Sequence, residues 1–264
     1  MSGRLANPGQ SVTSRALRVL AAFEHTGAPL SLADIVAETG LPRSTVHRML
    51  GELEEWGAVQ RDAHGRYQVG LRLWELGQHA GVKLRDVARP YLQDLFGLIQ
   101  DTVHIAIREG SEVLYIDRVY GSRRVPQASR VGGRLPVHAT AVGKVILAFE
   151  EQWVRDAVLD SPLERRTART ETDPAVLRRE LETIRHRGYA ITSEEVRVGS
   201  CSLAVPFFQK DGRIFGGLGV VLPIDREQEL ERSLPSLKGT ARRIELGIAN
   251  LPVSALRSTA HSKR

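Results

Sequence analysis

The sequence predicts an α+β protein with two domains: an N-terminal winged helix-turn-helix and a C-terminal domain in which helices pack on an antiparallel sheet. Two observations lead to this prediction. Residues 11–73 carry three helix signals and then a short strand pair, the element order of a winged helix-turn-helix. From residue 102 onward, strand pairs and helical segments follow one another without a regular βαβ pattern.

Composition limits the class of protein. The chain has 264 residues, of which 42% are hydrophobic and 26% charged, the balance of a globular protein. No apolar run approaches the ~20 residues that span a bilayer, and MSGRLANPGQ contains no signal-peptide core, so we expect a cytoplasmic location. A single cysteine, Cys201, excludes an internal disulfide framework. No Cys/His spacing predicts a zinc site, and we expect neither metal nor cofactor.

The overall charge does not locate a binding surface. A net charge of +6 and a pI near 9.8 are compatible with a nucleic-acid partner. However, residues 1–75 contain eight Lys and Arg against eight Asp and Glu, so the predicted winged helix-turn-helix is neutral. A DNA-binding surface in this domain must come from the placement of individual side chains.

The first helix begins after a hydroxyl side chain and ends before the Gly-Ala-Pro sequence at residues 27–29. Ser11 or Thr13 can cap its N-terminus by accepting a hydrogen bond from a free backbone amide. Helical spacing predicts an inward apolar face made of Ala16, Leu17, Leu20 and Phe23.

The second and third helices form the predicted helix-turn-helix motif, residues 32–51. Ser31 caps the second helix, and Asp34 is placed to complete a capping box. Gly40 is expected to end the second helix, because glycine readily adopts the left-handed backbone conformation found there. Pro42 fits the first turn of the third helix, where its missing N–H costs nothing. This short break sets the angle at which the third helix projects.

The third helix has an apolar side and a polar side. The apolar stripe, which the second helix can bury, consists of Val46, Met49, Leu50 and Leu53. The opposite side carries hydroxyl, imidazole and guanidinium groups, which suit base edges and phosphates. A hairpin that turns at residues 62–65 follows as the wing. The candidate DNA-binding residues are Thr13, Arg43, Ser44, Thr45, His47 and Arg48 on the helices and Arg61, His64 and Arg66 on the hairpin.

A second interpretation of the same pattern stays open. A three-helix cluster with a solvated polar face would show the same spacing, since charged faces of helices are commonly just solvated. A winged-helix scaffold that binds protein or RNA partners is the alternative class of function.

A linker helix is predicted between the two domains. Residues 71–100 have a helical pattern that is interrupted near Gly81 and Pro90. We assign residues 74–85 to the linker helix and residues 86–251 to the second domain. The first ten residues and residues 252–264 are predicted to be flexible ends.

The second domain alternates hairpins and helices. The first hairpin turns at residues 109–111, and the second turns at residues 210–212. Helical patterns are predicted at residues 140–149, 151–159 and 174–187 and, with a break near Pro235, at residues 226–250.

The helix that follows PVHAT is a candidate anion site. Thr140 can cap it, and its first amides form a seat for a carboxylate. We expect Gly143 to be a position of tight helix packing and Lys144 to lie on the surface. A phosphate-binding loop is excluded because its motif requires glycine at position 138, where this chain has histidine.

Catalysis is not predicted. Cys201, His104 and His138 could form a thiol site, but a lone cysteine in a strand is more often a small core residue. His138 is expected to satisfy a backbone group. Glu194 and Glu195 are neighbours on an extended stretch, so their carboxylates are expected to point to opposite faces. We therefore expect that the protein is not an enzyme.

The chain resembles the IclR family of bacterial transcriptional regulators from Ser14 to about Leu251. In the first domain the matching stretches are RALRVL, SLADIVAETGLPRSTVHRML and GRYQVGLRLWELG. In the second they are GGRLPVHATAVGKVILA and IRHRGYAITSEEVRVGSCSLAVPFF. The resemblance implies a GAF-like effector-binding domain that binds a small organic acid. It also implies dimers, which can pair into tetramers. It further implies regulation of a nearby catabolic operon, as a repressor or also as an activator.

The resemblance also implies where the effector binds. The family pocket lies where the HATAVGK helix start faces the sheet. By motif alignment the effector-binding residues are Thr140, Ala141, Val142, Thr192, Ser202, Gly219 and Val221. Family members that bind small keto acids have an acidic residue, a cysteine and two serines at the last four positions. Their replacement here predicts a larger, less polar ligand, such as an aromatic or longer-chain acid.

Overall fold

The computed structural model describes residues 11–24, 28–77, 82–121 and 130–249. The chain divides into two compact units, Met1–Ala80 and Gly81–Arg264. The predicted flexible ends, residues 1–10 and 252–264, lie outside the described residues. The predicted linker helix, residues 74–85, begins in one described helix and ends in the next. Residues 78–81, between these two helices, lie outside the described residues.

The first unit contains the predicted winged helix-turn-helix. Three helices precede a short antiparallel strand pair, and a further helix follows. The elements are α1 (Val12–Ala21), α2 (Leu32–Thr39), α3 (Arg43–Glu55), β1 (Val59–Arg61), β2 (Tyr67–Val69) and α4 (Leu71–Gly77). Leu30 adds a single bridge to Tyr67, through two backbone hydrogen bonds of 2.8 and 2.7 Å.

Helix α1 differs from the prediction in one inward position. Ser11 caps the helix by accepting a hydrogen bond from the Ser14 amide at 3.1 Å, so Thr13 is not the cap. Leu17 is 60% exposed, whereas Val19 is fully buried. The prediction for Leu17 was wrong because the inward stripe runs through Val19 at helical spacing, which places Leu17 at the edge of that stripe.

The helix-turn-helix motif has the predicted end signals. Ser31 and Asp34 form the capping box: the Asp34 amide donates to Ser31 Oγ at 3.2 Å, and the Ser31 amide donates to Asp34 Oδ2 at 2.9 Å. Gly40 ends α2 with a φ of +63°, in the left-handed region. Pro42 immediately precedes α3 rather than lying in its first turn, and its carbonyl accepts from the Thr45 and Val46 amides.

The second unit is built on a six-stranded antiparallel sheet in the order β5-β4-β3-β8-β7-β6. Both predicted hairpins are present, as β3–β4 and β7–β8. The strands are β3 (Thr102–Glu109), β4 (Glu112–Val119), β5 (Arg134–Pro136), β6 (Ala190–Ser193), β7 (Ser200–Phe208) and β8 (Ile214–Pro223). The helices are α5 (Val82–Ile99), α6 (Ala141–Phe149), α7 (Gln152–Leu159), α8 (Pro174–Arg187) and α9 (Leu234–Ile248). Two 3-10 segments, Val137–Ala139 and Ile224–Ser233, precede α6 and α9.

Helices cover both faces of the sheet. The core on one face joins buried residues of α5 and α9 to the sheet, and the core on the other face joins α6, α7 and α8 to it. Helix α5 continues through Pro90, where a break was predicted. Its buried residues Leu84, Ala88, Leu92 and Leu95 pack in the first of these cores, and this packing offsets the one helical hydrogen bond that proline removes. None of the helices in the described residues combines the length and apolar character that a membrane crossing requires.

Candidate nucleic-acid interface and ligand site

The polar side of α3 is open to solvent. Val46, Met49 and Leu50 are buried in the core of the first unit, which turns the opposite side of the helix outward. That side carries exposed Arg43, Ser44, His47 and Arg48, with Thr45 half-buried. Among the described residues, no hydrogen bond or ion pair engages Arg43 or Arg48. Their charges are therefore available to an anionic partner.

The two ends of α3 differ in charge. No side chain caps its N-terminus, and the amides of the first helical residues, Arg43 and Ser44, have no acceptor within the helix. The positive end of the helix dipole also lies at this end. The C-terminal half carries Glu52, Glu54 and Glu55, which would repel a phosphate backbone. Only the first two turns of the helix suit a duplex, the part that recognition helices of this motif insert into the major groove.

The hairpin arginines already have partners within the first unit. Arg61 pairs with Glu54 at 3.1 Å, and its guanidinium lies 4.7 Å from the centroid of the Tyr67 ring. Arg66 pairs with Asp62 at 2.9 Å. The same Asp62 carboxylate accepts the backbone amide of His64, whose side chain is exposed, as is Thr13 on α1. To contact a phosphate, either arginine would have to release its acidic partner, Glu54 or Asp62.

The second unit has a small cavity between the start of α6 and the sheet. Its volume is about 40 Å³, room for about three water molecules. Six of the seven predicted effector residues line it: Thr140, Ala141, Val142, Thr192, Ser202 and Val221.

The start of α6, the candidate anion site, has the helix cap that the sequence predicted. Thr140 Oγ1 accepts a hydrogen bond from the Gly143 amide at 3.0 Å, as the sequence predicted. A side chain at Gly143 would place its Cβ 2.1 Å from the Val137 carbonyl oxygen, so this turn requires glycine. Ala141 and Val142 occupy the first helical positions, and both line the cavity. Amides at these positions have no partner within the helix.

Gly219, the seventh predicted residue, does not line the cavity. A Cβ atom at this position would lie 2.7 Å from His104 Nε2 and 3.0 Å from Val142 Cγ1. The missing side chain therefore makes room for the His104 imidazole across the β3–β8 pair, where the two residues are register partners. The motif alignment could not show that His104 occupies the space beside Gly219.

We expect Gly219→Ala to lower the free energy of unfolding by about 1–3 kcal/mol, because the added methyl group forces His104 out of its place. Urea unfolding of the variant measures this change. Gly239→Ala on α9 is the matched control, since nothing lies within 4 Å of a Cβ there and alanine is the better helix former. Equal stability of both variants would contradict the packing role of Gly219.

Several cavity residues were not predicted, among them His104 and Tyr115. His104 is 3% exposed, and its ring lies 5.1 Å from that of Tyr115 in an edge-on arrangement. Burial, with the nearby Arg118 charge, lowers the pKa of His104 to about 3, so the imidazole is neutral at physiological pH. Burial raises the pKa of Tyr115. The sequence signal that could have identified His104 is a polar residue between the apolar residues Val103 and Ile105.

Lys144 is buried, which corrects the expectation of a surface lysine. Its side chain is 1% exposed. Its Nζ atom lies 2.8 Å from both carboxylate oxygens of Glu180 on α8 and 2.7 Å from Glu195 Oε1. Burial raises the pKa of Glu195, an effect that the Lys144 charge opposes. The ion pairs tie α6 to α8 and to the loop after β6.

Glu194 and Glu195 do not point to opposite faces of a strand. β6 ends at Ser193, and Glu194 has a φ of +59°, which turns the chain so that both residues line the cavity. Glu194 accepts the Gly199 amide at 2.7 Å and pairs with Arg169 at 2.9 Å. The expectation failed because it assumed that the strand continued.

The remaining candidates for catalysis have structural roles. Cys201 is buried in the core on the α5 and α9 side of the sheet, as predicted, and burial raises its pKa to about 11. His138 Nε2 lies 3.0 Å from the Glu164 carbonyl oxygen, a backbone partner, again as predicted. A thiol with a raised pKa is a poor nucleophile.

Two protein families match this chain. Residues 12–63 match the IclR helix-turn-helix domain, and residues 79–246 match the family described as bacterial transcriptional regulator IclR C-terminal. The HTH-type transcriptional regulator XynR of Escherichia coli is 34% identical over 230 residues, 84% of this chain and 89% of XynR. The Pca regulon regulatory protein of Pseudomonas putida is 31% identical over 237 residues, 87% of this chain and 81% of that protein.

Solved structures share the architecture over nearly the whole chain. An IclR homologue from Microbacterium hydrocarbonoxydans, solved in complex with 4-hydroxybenzoate, superposes with a TM-score of 0.84. It is 32% identical, and the match covers 90% of this chain and 99% of that one. The IclR protein of Thermotoga maritima has a TM-score of 0.74 and 31% identity, with 90% and 98% coverage.

Proposed function

Because this chain belongs to the IclR family of bacterial transcriptional regulators, we propose that it binds operator DNA through α3 and releases it in response to a small organic acid. The observation that carries this proposal is the outward side of α3. Arg43 and Arg48 are exposed beside an uncapped helix start. Guanidinium groups bind phosphate and the major-groove edge of guanine, and a free helix start binds phosphate.

The assignment of contacts follows from what each side chain already engages. Ser44, Thr45, His47 and Arg48 are proposed to reach base edges, while Arg43 and the helix start hold phosphate. Thr13, Arg61, His64 and Arg66 are proposed as weaker backbone contacts, since both hairpin arginines have acidic partners.

The effector is proposed to be an aromatic or longer-chain acid that binds in the cavity beside α6. Its carboxylate would accept hydrogen bonds from the first amides of the helix, with Thr140, Thr192 and Ser202 nearby. Val142 and Val221 supply apolar walls. The relative that was solved with 4-hydroxybenzoate supports an aromatic acid. Because the cavity has a volume of about 40 Å³, the ligand is proposed to stabilise a conformation in which the cavity is wider.

The protein is proposed to act as a homodimer that can pair into a tetramer. Helix α4 supports this proposal because Leu71, Trp74 and Leu76 are all more than half exposed, an apolar surface that a second copy would cover. A dimer would place two α3 helices in major grooves about one turn, or a small multiple of a turn, apart on a near-palindromic operator.

The domain and class assignments belong to the same proposal. Residues 11–73 are proposed to bind DNA, residues 74–85 to link the domains and residues 86–251 to bind the effector. The protein is proposed to be a repressor without catalytic activity, acting in the cytoplasm where its operator lies.

Footprinting on the promoter beside the protein's own gene, repeated with a panel of organic acids, tests the proposal. We expect a protected near-palindromic site that one class of acid releases. Binding to the duplex should weaken steeply with salt, because phosphate contacts release counterions. Salt-insensitive binding without preference for any promoter would instead favour a winged-helix scaffold for protein or RNA.

A further inference from the structure

Two residues that line the cavity each contain a buried polar atom that makes no hydrogen bond in the described part of the chain. These atoms are Glu195 Oε2 and His104 Nδ1. Glu195 is 9% exposed and His104 is 3% exposed, and both residues line the cavity. A buried polar atom without a partner costs about 1–3 kcal/mol, so it usually marks a site where something else completes the hydrogen bonds.

The surroundings of Glu195 determine what could complete them. Lys144 Nζ engages Oε1 at 2.7 Å and holds the carboxylate from the α6 side. Lys144 and its two glutamates together carry one net negative charge. A second carboxylate placed against Oε2 would add to this negative charge and be repelled. A hydroxyl or N–H group would donate to Oε2 in a charge-assisted hydrogen bond.

Glu194, the neighbouring acid, cannot take this role. Its Oε1 accepts the Gly199 amide, and its Oε2 pairs with Arg169. Both of its oxygens are therefore occupied by the protein. Glu195 also receives a weak contribution from the Glu171 amide, which is the smallest of the effects on its pKa. Of the two acidic side chains on the cavity wall, Glu195 is the one with an oxygen, Oε2, that makes no hydrogen bond in the described part of the chain.

We propose that Glu195 is a specificity-determining residue that selects an effector bearing a hydrogen-bond donor, such as a hydroxyl group, in addition to its carboxylate. The donor binds Glu195 Oε2, while the carboxylate binds the start of α6. His104 Nδ1 offers a neutral second polar contact on the same wall. This inference rests on the proposed function, because it narrows the class of acid that the cavity accepts to hydroxylated acids and disfavours dicarboxylates.

Matched pairs of acids test the proposal by calorimetry on the full-length protein. The probes are benzoate with 4-hydroxybenzoate, 3-phenylpropionate with 3-(4-hydroxyphenyl)propionate, and terephthalate as the dicarboxylate. We expect the hydroxylated member of at least one pair to bind about tenfold or more tightly than its partner, the gain of a hydrogen bond to a charged group. Terephthalate should bind more weakly than either monocarboxylate of its size.

Two variants assign this preference to Glu195. In Glu195→Gln the hydroxyl preference should fall to about threefold or less, because a neutral amide replaces the charged acceptor. Glu180→Gln is the matched control: it removes a carboxylate from the same Lys144, but Glu180 is not on the cavity wall, so the preference should remain. Thermal unfolding of both variants verifies that they are folded.

The outcomes separate this inference from the function on which it rests. If the acids bind but the hydroxylated members gain nothing, or if Glu195→Gln keeps the full preference, the role of Glu195 is overturned while the effector site stands. If none of the acids binds, both the aromatic-acid effector and the role of Glu195 are overturned, and operator binding through α3 is unaffected.

Discussion

Replacing Lys144 by methionine is expected to lower the free energy of unfolding by about 3–5 kcal/mol, because the substitution leaves a buried carboxylate without its cation. Lys144 is the cation that Glu195 Oε1 engages, at 2.7 Å, and the pair is enclosed by α6 and the loop after β6. Glu180 is 28% exposed and can recover water. Most of the loss therefore arises at Glu195.

The loss should depend on pH in a defined direction. Burial already raises the pKa of Glu195 above its ordinary value of 4.5, and removing Lys144 raises it further. A carboxyl whose pKa is raised by folding contributes full stability below its unfolded pKa and loses it as the pH rises through its folded pKa. The difference between Lys144→Met and the wild type should therefore be larger at about pH 8 than at about pH 5.

Urea unfolding at several pH values measures both effects. The double variant Lys144→Met with Glu195→Gln should recover part of the lost stability and most of the pH dependence, since the unpaired charge is gone. Lys238→Met, at an exposed position on α9, is the control and should change stability by about 0.5 kcal/mol or less. A pH-independent loss in Lys144→Met would contradict the electrostatic explanation.

Replacing Arg48 by alanine should weaken specific operator binding by about 1–3 kcal/mol, or about 5- to 150-fold, because a guanidinium that reads a base edge is lost. Arg48 lies on the outward side of α3, and among the described residues no ion pair holds it, so the fold should not change. The buried neighbour Met49 keeps the helix attached to the core.

A gel-shift titration at fixed salt measures the loss, with the urea midpoint as the check on folding. Lys238→Ala removes an exposed cation from the second unit and should leave operator affinity unchanged. Relaxed discrimination between operator variants at one base position would support base readout by Arg48, whereas a uniform loss would indicate a phosphate contact. Undiminished affinity would exclude Arg48 from the interface.

The outward side of α3 was predictable because it depends on local rules. Capping by Ser31 and Asp34, the left-handed Gly40 and the spacing of the apolar stripe all act within a few residues. These signals were sufficient to determine the motif and which side chains face solvent. They did not identify the pairing of Arg61 with Glu54 or of Arg66 with Asp62, although the second pair is local, four residues apart.

The candidate ligand site was only partly predictable. Thr140 was identified as the helix cap because it accepts from Gly143, three residues along the chain. The position of Glu195 on the cavity wall and that of the His104 ring beside Gly219 were missed. Both positions depend on elements that are far apart along the chain. Glu194 was misplaced because a single left-handed residue turned the chain where a strand was assumed to continue.

The sequence by itself determined most of the helices, both hairpins of the second unit, the helix-turn-helix motif and the Thr140 cap at the start of α6. The tertiary structure alone decided that Lys144 is buried between acids, that Gly219 makes room for a histidine, and that Glu195 lines the cavity. The physical reason is range. Helical and strand periodicity act over one or two turns, whereas the partners of Lys144 lie 36 and 51 residues away along the chain. Burial follows from which distant elements pack together, and no local pattern specifies that.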